Sequence, residues 1–133
     1  MSCFLLDANA LIALTVADHE HHQRAGAWFA TVDRGSLCPV VEGALVRYLV
    51  RVGVPATSVR SLLAALHADP RIEFWPDDLS YADLELDHVI GHRQVTDAYL
   101  AGLALHHGGR LATLDDALAQ TLPQSVVLIP QQS

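Results

Sequence analysis

Short apolar runs, each passing within a few residues into a helical stripe, recur along the whole chain, and this alternation restricts its fold more than any other feature. Residues 2–6 form an apolar run that ends at Asp7 and leads into Ala8-Asn9-Ala10-Leu11-Ile12-Ala13-Leu14, a stretch rich in helix formers. From His21, the residues Ala25, Trp28, Phe29 and Val32 fall at helical spacing, and Arg34-Gly35 is the expected stop. Leu37-Cys38-Pro39-Val40-Val41-Glu42 repeats the strand-to-helix step, with Val41, Leu45, Tyr48, Leu49 and Val52 marking the buried face of the helix. Pro55 opens another helix, striped by Val59, Leu62, Leu63 and Leu66, and Asp69-Pro70 ends it before an alternating strand at 71–75. Pro76-Asp77-Asp78 reads as a turn, and 79–92 is mixed, with Leu84 and Val89 as apolar anchors and Gly91 as a stop. Residues 95–109 make the clearest helix, with Thr96 expected to cap its start, Gly108 its end, and Gly102 to permit close packing. A strand at 110–114, a short helix at 115–121 and a last strand at 125–129 complete the chain. Strands alternating with helices predict an α/β fold in three layers, a central, mainly parallel sheet flanked by helices.

At 133 residues the chain is expected to be a single domain spanning 1–133. Its 51% hydrophobic content argues against disorder, and no apolar run approaches the roughly 20 residues that cross a bilayer. The first residues lack a basic segment and meet Asp7 early, so no signal peptide is expected and the protein is placed in the cytoplasm, away from membranes. Cys3 and Cys38 lack any ligand or redox spacing and read as small core residues. The chain contains no lysine, which removes Walker-type phosphate cradles and Schiff-base chemistry. Its formal charge of −7 runs against nucleic-acid binding, since phosphate neutralisation calls for a basic surface. If four of its carboxylates hold metal, however, the remainder is only mildly acidic and the bound cations supply the positive charge that a phosphate meets.

Four acids occupy one recurring place in this plan: Asp7 after the first strand, Glu42 and Asp97 at helix starts, and Asp115 after a later strand. In open parallel sheets, ligands bind beyond the carboxyl ends of the strands, so acids far apart in sequence can converge there. A cup of carboxylates suits a hard divalent cation such as Mg2+. Singly, each acid has an ordinary explanation as a helix cap or dipole partner; jointly they favour a site. Asp115 and Asp116 compete for the fourth place. Thr113 and Asp115 share a strand face, whereas Asp116 has the spacing from Thr113 of a capping-box variant, so Asp115 is assigned to the site and Asp116 to the cap.

These residues resemble the PIN domains, and among them the VapC toxins of bacterial toxin–antitoxin pairs. The matching pieces are Leu6-Asp7-Ala8-Asn9, Pro39-Val40-Val41-Glu42 with Arg47 beyond it, Val95-Thr96-Asp97-Ala98-Tyr99-Leu100, and Gly109-Arg110-Leu111-Ala112-Thr113-Leu114-Asp115, in that order over nearly the whole chain. The resemblance implies Asp7 and Asp97 as main metal ligands, Glu42 and Asp115 as accessory ones, Asn9 and Thr113 as polar support, and Mg2+ or Mn2+ as cofactor. It also implies hydrolysis of RNA to 5′-phosphate and 3′-hydroxyl ends, a homodimer, and neutralisation by a small VapB-like antitoxin. Alternatives are a housekeeping PIN nuclease of RNA processing, a PIN-like binding module whose acids serve only as caps, and a haloacid-dehalogenase-like phosphatase. The phosphatase fits poorly, because Asn9 stands where its second acid is needed and no lysine is available.

Arg47, Arg93 and Arg110 are candidates for phosphate contact. Trp28 and Phe29, at helical spacing, are read as packing residues rather than base-stacking ones. Of the eight histidines, His19, His21, His22, His106 and His107 are clustered, and they read as surface or helix-end residues favoured by the dipole.

Overall fold

The strands and helices that the periodicity anticipates are present in a computed structural model that describes residues 2–132; the first and last residues of the expected domain lie outside it. In chain order they are β1 (Cys3–Leu6), α1 (Ala8–Thr15), α2 (His22–Phe29), β2 (Arg34–Leu37), α3 (Pro39–Arg51), α4 (Ala56–Ala68), β3 (Ile72–Phe74), α5 (Val95–His106), β4 (Arg110–Thr113), α6 (Asp116–Thr121) and β5 (Val126–Leu128). The five strands form one sheet in the order β3-β2-β1-β4-β5, and every neighbouring pair is parallel. Leu5 at the centre of β1 faces Ser36 on one side and Leu111 on the other.

The chain builds outward from β1 to β3, then returns across the sheet to β4 on the other side of β1. Crossovers between parallel strands are right-handed, so the helices of the outward half and those of the return half cover opposite faces. The fold is therefore α/β with three layers. Because the strand order reverses at β1 and β4, a crevice opens beyond their carboxyl ends.

The core lies on both faces of the central strands. Leu5, Leu6, Leu37 and Leu111 are fully buried, as are Leu11 of α1, Val41 and Leu45 of α3, and Leu103 of α5. Each such side chain contributes about 1.5–3 kcal/mol on leaving water, which is why the stripe positions dominate the fold. α5 is buried around most of its circumference, from Ala98 through Ala104. A Cβ at its Gly102 would overlap Leu84, so the glycine lets the β3–β4 crossover lie directly on the helix.

Several local expectations are corrected by the structure. Arg34-Gly35 does not close a helix; α2 ends at Phe29, and Arg34 begins β2. Gly35 is a strand glycine whose absent Cβ leaves room for the Phe29 ring, 2.8 Å from where that atom would stand. The next strand accordingly stops at Leu37, and Pro39 is already in the first turn of α3. Val52 lies just past the end of α3 and is exposed rather than buried. Thr96 does not cap α5, which begins one residue earlier behind a short 3-10 turn at His92–Gln94. Asp115, and not Asp116, is the N-cap of α6, because extended backbone persists through Asp115. Thr113 belongs to no capping box: it is fully buried, with its hydroxyl turned to Asp7.

Candidate active site

The crevice between β1 and β4 is organised around Asp7. Its backbone N–H donates to the Ala112 carbonyl at 3.1 Å, carrying the β1–β4 pairing one residue past the strand end. Its extended backbone makes it the N-cap of α1, and one carboxylate oxygen accepts the Ala10 N–H at 2.8 Å. The other accepts the Thr113 hydroxyl at 2.6 Å, while the Thr113 oxygen accepts the Asp115 N–H at 3.0 Å. One hydrogen-bonded chain thus ties the carboxyl ends of the two central strands. Asp97 enters from the first turn of α5, and Asp115 from the start of α6, where its carboxylate accepts the Leu118 N–H at 3.2 Å.

Asp97 lines a recess with each of the other two acids, and the three carboxylates are near enough to feel one another's charge. Burial pushes the Asp7 carboxyl up to about 6; its bonds from Thr113 and Ala10 oppose the rise, and the charges of Asp97 and Asp115 add to it. Asp97 is also raised, by burial first and by Asp115 second. A cleft of about 430 Å³ is lined by Asp7, Asn9, Arg47, Thr96 and Asp97, among others. A smaller recess joins Asp97 to Asp115 beside His88 and Gln94. Carboxylates that line adjoining recesses and present oxygen atoms only suit a hard divalent cation, and Asp7, Asp97 and Asp115 are the residues that could hold it.

The remaining expected residues are distributed unevenly. Glu42 sits in the first turn of α3, but its carboxylate turns to His67 of α4, 2.5 Å from the Nε2 atom, and it does not line the cleft. Arg93 is exposed in the 3-10 turn before α5. Arg110 is the first residue of β4, at the end of the strand away from the crevice, where its guanidinium donates to the carbonyls of Gln124 and Pro123. Only Arg47 of the three arginines lines the cleft. Asp116 accepts from the Gln120 side chain at 2.8 Å, on the surface of α6. Sequence reasoning did not find His67, which meets Glu42 only through the packing of α4 on α3, nor His88 and Gln94, which line the recess shared by Asp97 and Asp115. Burial raises the thiols of Cys3 and Cys38 to about 12 and about 11, so neither is a nucleophile at neutral pH.

The exchange of roles between the two adjacent acids sharpens a mutational test. Asn caps a helix about as well as Asp, so Asp115→Asn is expected to keep the melting temperature while lowering the RNA cleavage that the resemblance implies; Asp115→Ala should also lose about 0.5–2 kcal/mol of stability. Asp116→Asn, which breaks only a surface contact, should leave cleavage near wild type. Parallel melting curves and RNA cleavage assays check this, and a larger catalytic loss at Asp116 would reassign the ligand.

The PIN domain family model matches residues 4–121. The chain belongs to the PIN-domain family. Ribonuclease VapC29 of Mycobacterium tuberculosis is 54% identical to it over 127 residues, covering 95% of this chain and 96% of that protein. Ribonuclease VapC38 of the same organism is 39% identical over 133 residues, covering 92% and 94%. Two solved structures share the architecture at 18% identity. The Mycobacterium tuberculosis VapC20 structure, described as a Sarcin-Ricin loop cleaving toxin, has a TM-score of 0.68 and covers 97% of this chain and 100% of its own. The structure of FitAB bound to a DNA fragment has a TM-score of 0.65 with coverage of 98% and 97%. The family match and the identity to named VapC ribonucleases make this a VapC-type ribonuclease, and the phosphatase, housekeeping and binding-module alternatives are not favoured.

Proposed function

We propose that this PIN domain is a divalent-metal-dependent endoribonuclease acting in the cytoplasm, with Asp7, Asp97 and Asp115 as its metal-holding acids and a cognate antitoxin as its inhibitor. The convergence of these three carboxylates at the crevice between β1 and β4 carries the reading. Mg2+ or Mn2+ bound there would lower the pKa of an attacking water and neutralise charge developing on the phosphoryl and leaving oxygens.

The side chains prepare that chemistry. Thr113 and the Ala10 N–H hold the Asp7 carboxylate in one orientation, so no rotamer freedom is lost when it is engaged. Asp97 and Asp115 close the acidic side of the cleft, and Arg47, lining its wall, is placed to receive a phosphate oxygen of the RNA strand. Asn9, exposed in the first turn of α1, offers a neutral polar contact at the same wall. Glu42 ranks behind the other three because its carboxylate is engaged by His67. Hydrolysis in this arrangement leaves 5′-phosphate and 3′-hydroxyl ends. An antitoxin segment carrying basic residues would complement the acidic cleft, and the toxin would pair as a homodimer.

Purified protein is expected to cleave RNA with Mg2+ or Mn2+, to stop on addition of EDTA, and to resume when metal is restored. Expressed alone it should arrest growth, and its cognate antitoxin should release the arrest. Cleavage that persists after exhaustive chelation, or harmless expression of verified folded protein, would overturn the proposal.

A further inference from the structure

A second group of ligand-bearing side chains lies away from the crevice. Asp78, in the turn after β3, meets His106 and His107 at the end of α5, and one ligand atom from each lies within 4.8 Å of the others. The Nε2 atom of His107 stands 2.9 Å from a carboxylate oxygen of Asp78, and that of His106 stands 3.8 Å from the same oxygen. The two imidazoles are nearly perpendicular, with centroids 5.2 Å apart, so their nitrogens approach the carboxylate from different directions. His107 is further fixed by stacking on Trp75, which is itself buried, at 4.6 Å and an interplanar angle of 13°.

In the metal-free protein His107 Nε2–H donates to the Asp78 carboxylate. A cation that displaced that proton would face two imidazole nitrogens and a carboxylate oxygen, which together make a ligand set. A tetrahedral ion with bonds of about 2.0–2.2 Å holds its ligand atoms about 3.3 Å apart, and the two measured separations lie on either side of that value. Imidazole nitrogen selects Zn2+ and its neighbours, whereas the all-oxygen crevice selects Mg2+ or Mn2+. Asp97 and His106 lie nine positions apart on α5, about 13.5 Å along the axis, so the two groups do not share an ion.

We propose that Asp78, His106 and His107 form a second metal site, for a borderline transition-metal dication such as Zn2+, with its fourth position open to water. Bound there, the ion fastens the turn after β3 to the carboxyl end of α5 and so closes the long β3–β4 crossover at both ends. The site requires no ribonuclease activity and acts as a staple on the return half of the fold.

The test is calorimetric titration of the full chain with Zn2+ in excess Mg2+, so that the crevice is occupied. Wild type should bind one Zn2+, and His106→Gln and Asp78→Asn should each weaken binding at least about tenfold, while Asp97→Asn should bind Zn2+ as wild type does. Both weakened variants alter exposed side chains and should melt as wild type without Zn2+. As an independent reading, Co2+ should quench tryptophan emission through Trp75 in wild type and not in Asp78→Asn. Equal Zn2+ affinity in wild type and both site variants, an absence of Zn2+ binding, or loss of binding in Asp97→Asn would each overturn the proposal.

Discussion

Asp97→Asn is expected to lower RNA cleavage at least about a hundredfold while leaving the metal-free protein as stable as wild type or slightly more so. The asymmetry follows from where the carboxylate stands. Asp97 is half-buried, and its carboxyl is raised by desolvation and by Asp115, with no hydrogen bond to offset either. Its charge is therefore a cost to the folded chain without metal and an asset only when a cation is present. Asn keeps the shape, removes the charge and leaves the first turn of α5 intact. Asp7→Asn should lose as much activity but is a less clean substitution, because both Asp7 oxygens accept hydrogen bonds and an amide offers only one acceptor. Cleavage assays at saturating Mg2+, paired with melting curves, decide the matter; full activity in folded Asp97→Asn protein would remove Asp97 from the site.

The second large effect is a metal stabilisation that depends on pH. Asp7 is raised from the ordinary 3.8 to about 6 in the folded chain, so between these values the folded state holds a proton that the unfolded state has released. Metal-free stability should accordingly fall as pH rises from about 4 to about 6, by on the order of 3 kcal/mol, with the penalty complete above that window. Asp97 shifts in the same direction. A cation must displace the shared protons, so Mg2+ or Mn2+ should raise the melting temperature little at pH 5 and by about 5–10 °C at pH 8, with the ion at about a hundred times its Kd. Asp97→Asn should abolish most of that rise. Equal shifts at both pH values, or none at pH 8, would show that the carboxylates are not what the ion binds.

How much of this is legible in the sequence depends on the range of the interaction that decides each feature. The parallel sheet is written in local periodicity, because buried strands and striped helices are set by residues a few positions apart. The end of α2 is not: Gly35 resembles a helix stop until the Phe29 ring is seen to need the space of its missing Cβ. Asp115 and Asp116 turn on a single residue of extended backbone, finer than any pattern of apolar positions can resolve. Asp7 stands out in the sequence because it directly follows an apolar strand, yet its partnership with Thr113 spans 106 positions and exists only because β1 and β4 are neighbours. The pairing of Glu42 with His67 and the meeting of Asp78 with His106 and His107 likewise depend on helix packing and turn placement.

β3 and β5, which border the sheet, are only three residues long. So brief a border offers few free backbone groups on which another polypeptide could continue the hydrogen-bond ladder, a common protection against aggregation. Any self-association would have to draw on other surface, and exposed apolar side chains lie both at the end of α3, at Val50 and Val52, and on the crossover and helix between β3 and β4, at Leu86, Ile90, Val95 and Leu105. Whatever surface such a contact used, the sheet borders would stay closed to strand exchange.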